Sequence, residues 1–186
     1  MPVSPSIQNY HIGKGIVSFK EDGATAFLDL GNAPSFIWTP TIAKKEHFSS
    51  REGIKVKDFT AITQVGATIK MTLDEINAPN LGIFTLGEVG APDVDGSVAV
   101  SAFKKTEIAG IIKVEGTNDV GQHVDFTGRI SVNPSGDFKL ITDSDDFTTL
   151  EIEAEVQKDD TTGDFGVFTV HEPAGGLTTH KVRAPA

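Results

Sequence analysis

Residues 54–72 (IKVKDFTAITQVGATIKMT) restrict the possible folds of this chain more than any other stretch. From Phe59 the apolar residues Phe59, Ala61, Val65, Ala67, Ile69 and Met71 fall on odd positions. The polar residues Thr60, Gln64, Thr68, Lys70 and Thr72 fall on even ones, with Ile62 the exception. Period-two alternation marks a strand with one buried and one wet face. Strands average about 5–6 residues, whereas Ile54–Thr72 drawn out would reach about 60 Å at about 3.3 Å per residue. A strand that outruns its own domain leaves an edge that invites pairing. The expectation is therefore assembly, well ahead of catalysis.

The rest of the chain reads as mainly β, because strand formers and Gly/Pro/Asn/Asp punctuation dominate and helical period is scarce. Residues 1–11, with Pro2 and Pro5, read as an extended arm. Strands are expected at Gly15–Lys20, Ala26–Leu30, from Ser35 onward, and at Val98–Phe103, Ala109–Glu115, His123–Val132, Phe138–Thr142, Thr149–Gln157 and Phe165–His171. Pro40 cannot donate to a ladder, so the arm beginning at Ser35 is bent or lies at an edge there. Residues 43–58 are polar, with Ser49, Ser50 and Gly53 giving turn character, and are expected to be a long loop. Phe48, Ile54, Arg51 and Glu52 at its tip suit docking on a partner, since aromatic and arginine residues are favoured in such contacts. One helix is expected, opened either by the capping-box sequence Thr72-Leu73-Asp74-Glu75 or by Asn77-Ala78-Pro79. It would run to about Leu86, with Leu81, Ile83 and Phe84 inward and Gly87 as the stop. The tail 172–186, rich in Pro, Gly and Thr, is expected to be extended or disordered. A single domain over residues 1–171 follows.

Composition excludes several function classes. Sixteen Lys and Arg against 26 Asp and Glu give a net charge of −10, which opposes binding nucleic acid through its phosphates. With no cysteine, disulfides and thiolate metal sites are ruled out. Neither a signal peptide nor a membrane span is read. The five histidines follow no HExxH spacing. His123 and Asp125 share a strand face, but no third metal ligand accompanies them. The acidic clusters Asp93-Val94-Asp95-Gly96, Asp143-Ser144-Asp145-Asp146 and Asp159-Asp160 with Asp164 lack the closing glutamate of a calcium loop, and read as turns. Ser49 and Ser50 have no nucleophile elbow, and Gly13-Lys14-Gly15 completes no phosphate-binding pattern. No enzyme, metal or cofactor is expected. Glu151, Glu153 and Glu155 share one strand face, where like charges repel unless the face is wet or paired with bases.

The chain also resembles the major tail tube proteins of long, non-contractile bacteriophage tails. The resemblance rests on Tyr10-His11-Ile12-Gly13-Lys14-Gly15 with Val17 and Phe19, on Leu30-Gly31-Asn32-Ala33-Pro34-Ser35-Phe36, and above all on His47-Phe48-Ser49-Ser50-Arg51-Glu52-Gly53 running into Lys57-Asp58. It continues through the threonine-bearing strand and the short helix ending Leu86-Gly87, and covers most of the chain. It implies a two-sheet β-sandwich or barrel-like fold with one flanking helix and a long β-hairpin loop. Six copies would form a ring, and stacked rings a tube in the virion that conducts DNA into the host. Assembly in the bacterial host cytoplasm follows, with the tape-measure protein and tail tip or terminator proteins as partners. Carried over, His47, Phe48, Ser49, Ser50, Arg51, Glu52, Gly53, Ile54, Lys55, Lys57 and Asp58 form the inter-subunit or inter-ring loop. Thr60, Gln64, Thr68, Lys70, Glu151, Glu153 and Glu155 are the candidates to line the lumen, where Lys70 needs a nearby carboxylate. Two rivals stand beside this reading. One is a monomeric β-sandwich module binding carbohydrate or a surface; one Trp, one Tyr and phenylalanines expected mostly on apolar faces oppose it. The other is a related tail part, a terminator or distal ring protein.

Overall fold

The computed structural model describes residues 10–51, 53–118, 120–141 and 147–171. It is mainly β with one short helix, as expected. The strands are β1 (Gly15–Glu21), β2 (Leu28–Asp29), β3 (Ser35–Ser49), β4 (Val56–Leu73), β5 (Glu88–Val89), β6 (Val100–Ser101), β7 (Ala109–Gly116), β8 (His123–Asn133), β9 (Leu150–Gln157) and β10 (Val167–His171); the helix α1 is Ala78–Phe84. Eight strands form one antiparallel sheet in the order β2-β1-β7-β8-β9-β4-β3, with β10 paired to β8 beside β9, while β5 and β6 form a separate ribbon.

This sheet cannot lie flat. Its two edge strands, β2 and β3, are consecutive in the chain. Seven flat strands at about 4.8 Å spacing would hold those edges about 29 Å apart, yet the chain from Asp29 to Ser35 spans at most about 22 Å. The sheet therefore curls until its edges face each other, and side chains meet across the interior. Phe36 of β3 and Phe126 of β8 stand 6.2 Å apart between ring centroids. The result is a barrel-like layer closed around one core, which holds Val17, Phe19, Ile69, Met71, Ile112, Phe126, Ile130 and Ile152.

The alternation of β9 is borne out residue by residue: Leu150, Ile152, Ala154 and Val156 are buried, and Glu151, Glu153 and Glu155 point outward. Helix α1 starts at the second candidate position. Asn77 is the N-cap, its side chain accepting from Asn80 N–H at 2.8 Å, while Thr72-Leu73 still belongs to β4. The stop also differs. The left-handed residue is Leu86 (φ 47°), and Gly87 N–H then donates back to the Gly82 carbonyl at 2.7 Å. Asn80, fully buried, ties the helix to the barrel by donating to the carbonyls of Leu30 (3.0 Å) and Glu75 (2.9 Å). Residues 138–141 form no strand, and the strand expected over 98–103 shrinks to Val100–Ser101. Most of the N-terminal arm (1–9), Thr142, the Asp143–Asp146 cluster and the tail 172–186 lie outside the described residues.

Candidate functional site: the projecting hairpin and the outer sheet face

Within the barrel, β4 lies between β3 and β9. Its pairing with β9 ends at Ala67↔Val156, while its pairing with β3 continues through Thr41↔Gly66 to Ser49↔Val56. Beyond Pro40 the two strands have only each other among the described residues. The nine residues Thr41–Ser49 carry this ribbon about 30 Å past the barrel, at about 3.3 Å per residue. The expected loop 43–58 is therefore mostly ladder, and the turn occupies only residues 50–55, of which Glu52 is outside the described set. The charged composition resembled a loop because a ribbon wet on both sides needs no apolar face. Pro40, on the free edge of β3, fits the edge position expected for it.

Two register shifts, between Ala43 and Lys44 and between His47 and Phe48, leave Thr63 and Asp58 of β4 unpaired as bulges. A bulge inserts one residue and so reverses which face the following residues occupy. Ile62, the exception in the sequence alternation, pairs with Lys44 and so falls on the same side as Ile42 and Val65, the continuation of the core face. Phe59 and Ala61 are turned to the other side. Apolar residues therefore appear on both faces of the ribbon, and Ile42, Phe48, Ile54, Val56, Phe59, Ile62 and Val65 are all exposed. Polar pairs hold the distal half: His47 Nδ1 lies 2.6 Å from Asp58 Oδ1, and Lys57 Nζ donates to Glu46 Oε1 at 2.8 Å. At the turn, Arg51 N–H donates to Ser49 Oγ at 3.4 Å.

The candidate wall residues meet on the outer face of the barrel. Lys70 lies opposite Glu153, Thr68 opposite Glu155, and Thr72 opposite Glu151. The carboxylate that Lys70 was expected to need is Glu153, with which it forms an ion pair. The hydrogen bond and then the charge of Glu153 hold the Lys70 ammonium above the usual lysine range. The hydrogen bond from Lys70 is likewise the main cause holding the Glu153 carboxyl below the usual range. Gln64 shares this side, but Thr60 does not, because the bulge at Thr63 turns it to the opposite face. The polar surface continues onto β8 through Ser131 and Arg129, whose guanidinium grips the Asp22 carboxylate and is held above its usual range chiefly by that bond.

Elsewhere the two acidic clusters among the described residues are occupied as turns. Asp95 Oδ1 accepts from Ser97 Oγ (2.6 Å) and N–H (2.9 Å), and Asp159 Oδ1 from Thr161 N–H (2.7 Å) and Thr162 N–H (3.1 Å). Asp125 is held low first by the N–H of Gly116, at 2.8 Å, with His171 2.9 Å away adding to it. No group of three His, Asp or Glu suited to a metal ion occurs among the described residues, nor is any helix there long and apolar enough to cross a membrane.

Three features escaped the sequence reading. Half of the twelve phenylalanines are exposed (Phe27, Phe48, Phe59, Phe103, Phe147 and Phe168), contrary to their expected place on apolar faces. A cavity of about 300 Å³ opens at the seam where the sheet edges approach, lined by His11, Lys14, Phe36, Trp38, Phe126 and Phe168. A groove of about 440 Å³ lies between α1, the β1–β2 turn and the β5–β6 ribbon. Both hollows arise from elements distant in sequence, so no local pattern announces them.

A family model described as "Protein of unknown function UCP028589" matches residues 10–110, more than half of the chain, from the segment before β1 through the hairpin and helix into β7. Among curated proteins, none matches the chain.

Proposed function

The chain belongs to the UCP028589 family, and we propose that it acts by self-association, as the structural subunit of a hollow phage tail tube built from stacked six-membered rings. The hairpin carries this reading. Among the described residues it is a two-stranded ribbon with open backbone edges and apolar side chains on both faces, attached to a barrel whose core is complete without it. An isolated two-stranded hairpin is marginal in water, and long open edges attract further strands. Neighbouring copies answer both needs, because closure into a larger barrel removes edges. The outer face bearing Glu151, Glu153 and Glu155 supports its use as a conduit wall, since a carboxylate-rich surface repels a passing phosphate chain. In this reading the subunit is made in a bacterial cytoplasm and works in the virion, with tape-measure and tail tip or terminator proteins as partners and DNA only in transit. Negative-stain microscopy of the purified chain tests it: six-fold rings or tubes of uniform width are expected, and a monomer at every concentration would overturn it.

One observation favours a second reading. Trp38, at the seam cavity, has an indole N–H that is buried without a partner among the described residues. A monomeric module binding a small ring-shaped ligand would use such a site, and a persistent monomer with affinity for glycans would favour it.

A further inference from the structure

The hairpin and the helix-side groove lie at opposite ends of the barrel. Strands β1 and β4 end, and β9 begins, at the end where α1 packs; the groove opens there, floored by Phe19 and Ile108 and walled by Ile83, Val89, Ala26 and Leu28. The ion pair Lys105–Glu21 lies at its rim, with Glu88 beside it. The hairpin leaves from the other end. Resting on the self-association reading above, we propose that the hairpin tip of one copy seats in the helix-side groove of the next, in a head-to-tail contact.

Reach, shape and charge each support this pairing. The ribbon extends about 30 Å beyond the barrel, at about 3.3 Å per residue, enough to bridge to a copy stacked on that end. Its tip carries Phe48 and Ile54, both exposed, and the groove offers an apolar hollow of about 440 Å³. The chain is acidic overall, but its charge is unevenly divided. Residues 21–34 and 73–108, which build the groove end, hold nine carboxylates and two lysines, whereas residues 41–66 hold five cations and three carboxylates. A cationic tip and an acidic groove end attract, and two tips or two groove ends repel, so the charges select head-to-tail over two-fold pairing. Such a contact is heterologous and propagates instead of closing as a dimer.

Sedimentation velocity on the full chain, across a concentration series, tests the proposal. Ala26→Trp fills the exposed groove wall, and Ile54→Asp places a charge on the tip. Each variant alone should need at least about tenfold more protein to associate end to end, as expected when an apolar anchor is lost from an interface. An equimolar mixture should form one sound contact, tip of the first variant in the groove of the second, and stop at pairs. A second set guards against misfolding: Lys55→Glu and Glu88→Lys should each weaken association, and the double variant should restore part of it. Wild-type-like assembly by Ala26→Trp and Ile54→Asp would overturn the groove assignment while leaving self-association standing. Tip variants that lose binding to DNA while assembly is unchanged would overturn it in favour of a nucleic-acid surface. A wild-type chain monomeric at all concentrations would overturn both.

Discussion

Strand β4 belongs to two regions at once, and they differ in everything except sequence pattern. From Ala67 to Leu73 its alternate residues are buried, Ile69 completely, between β3 and β9. From Val56 to Val65 a similar alternation leaves Ile62 60 % exposed and Phe59 62 % exposed. The alternating pattern prepares a strand to be half-buried; whether it is buried depends on a third strand beside it and a second layer over it. The barrel supplies both to one half of β4. The other half carries the same preparation to a place where the described residues supply neither.

The largest test of that contrast is a matched pair of truncations. Ile69→Ala should cost the dispersed subunit about 2–5 kcal/mol, the range for deleting a fully buried aliphatic side chain. Ile62→Ala should stay within about 0.5 kcal/mol, as for a surface site. Urea unfolding with equal slopes measures both, and equal losses would mean that the hairpin is packed within its own subunit. Next in size is Asn80→Ala. It removes the donors to the Leu30 and Glu75 carbonyls, and leaving buried acceptors unmet costs about 1–3 kcal/mol. A melting temperature unchanged from wild type would show that α1 is not held to the barrel by that side chain.

The two regions also differ in how well they can be read from sequence. In the barrel, alternation is reinforced by burial, so β8 and β9 and their inward residues were legible to within a residue or two. The helix was legible, but its start was ambiguous, because Thr72-Leu73-Asp74-Glu75 satisfies a capping pattern although its first two residues end β4. In the hairpin, Lys44, Lys45, Glu46 and His47 read as loop because no burial constrains them, yet backbone pairing keeps them in strands, helped by the side-chain pairs of Glu46 and His47. The bulge at Thr63 was invisible for the same reason. It left one trace, the misplaced Ile62, and so put Thr60 among the wall candidates from which the register separates it. The exposed Phe103, held at a φ of 55°, lies in a connection whose shape depends on α1 and leaves no periodic signal.

The bulge can be tested directly. Inserting one alanine between Ala43 and Lys44 gives Thr63 a partner and should leave the stability of the dispersed subunit within about 0.5 kcal/mol, since no buried group moves. It should still impair assembly, because every side chain of the ribbon beyond the insertion changes face relative to the barrel. Unfolding and sedimentation on the same sample separate the two effects. An insertion that assembles like wild type would show that the faces of the hairpin are interchangeable.

The smallest effect belongs to the outer face of the barrel, which stays wet in the subunit. Glu153 is held below the ordinary carboxylate range by Lys70, whereas in the unfolded chain it titrates normally. As pH falls, the unfolded state therefore takes up the proton first. The stability from this carboxylate is present above its unfolded value and is lost as pH falls through its lower folded value. For Lys70 the sign is opposite: its contribution is present below its unfolded value and is lost as pH rises through the raised folded one. The pair is thus intact across the neutral range, but both partners are well solvated, and exposed pairs contribute little. Lys70→Met should leave neutral-pH stability nearly unchanged while moving the titration of the Glu153 carboxyl carbon, followed by NMR, upward toward the ordinary range. An unmoved titration would mean that Lys70 does not hold Glu153. Three neighbouring glutamates on β9 would then face solvent without a cation among them, a more strongly repelling wall than the one described.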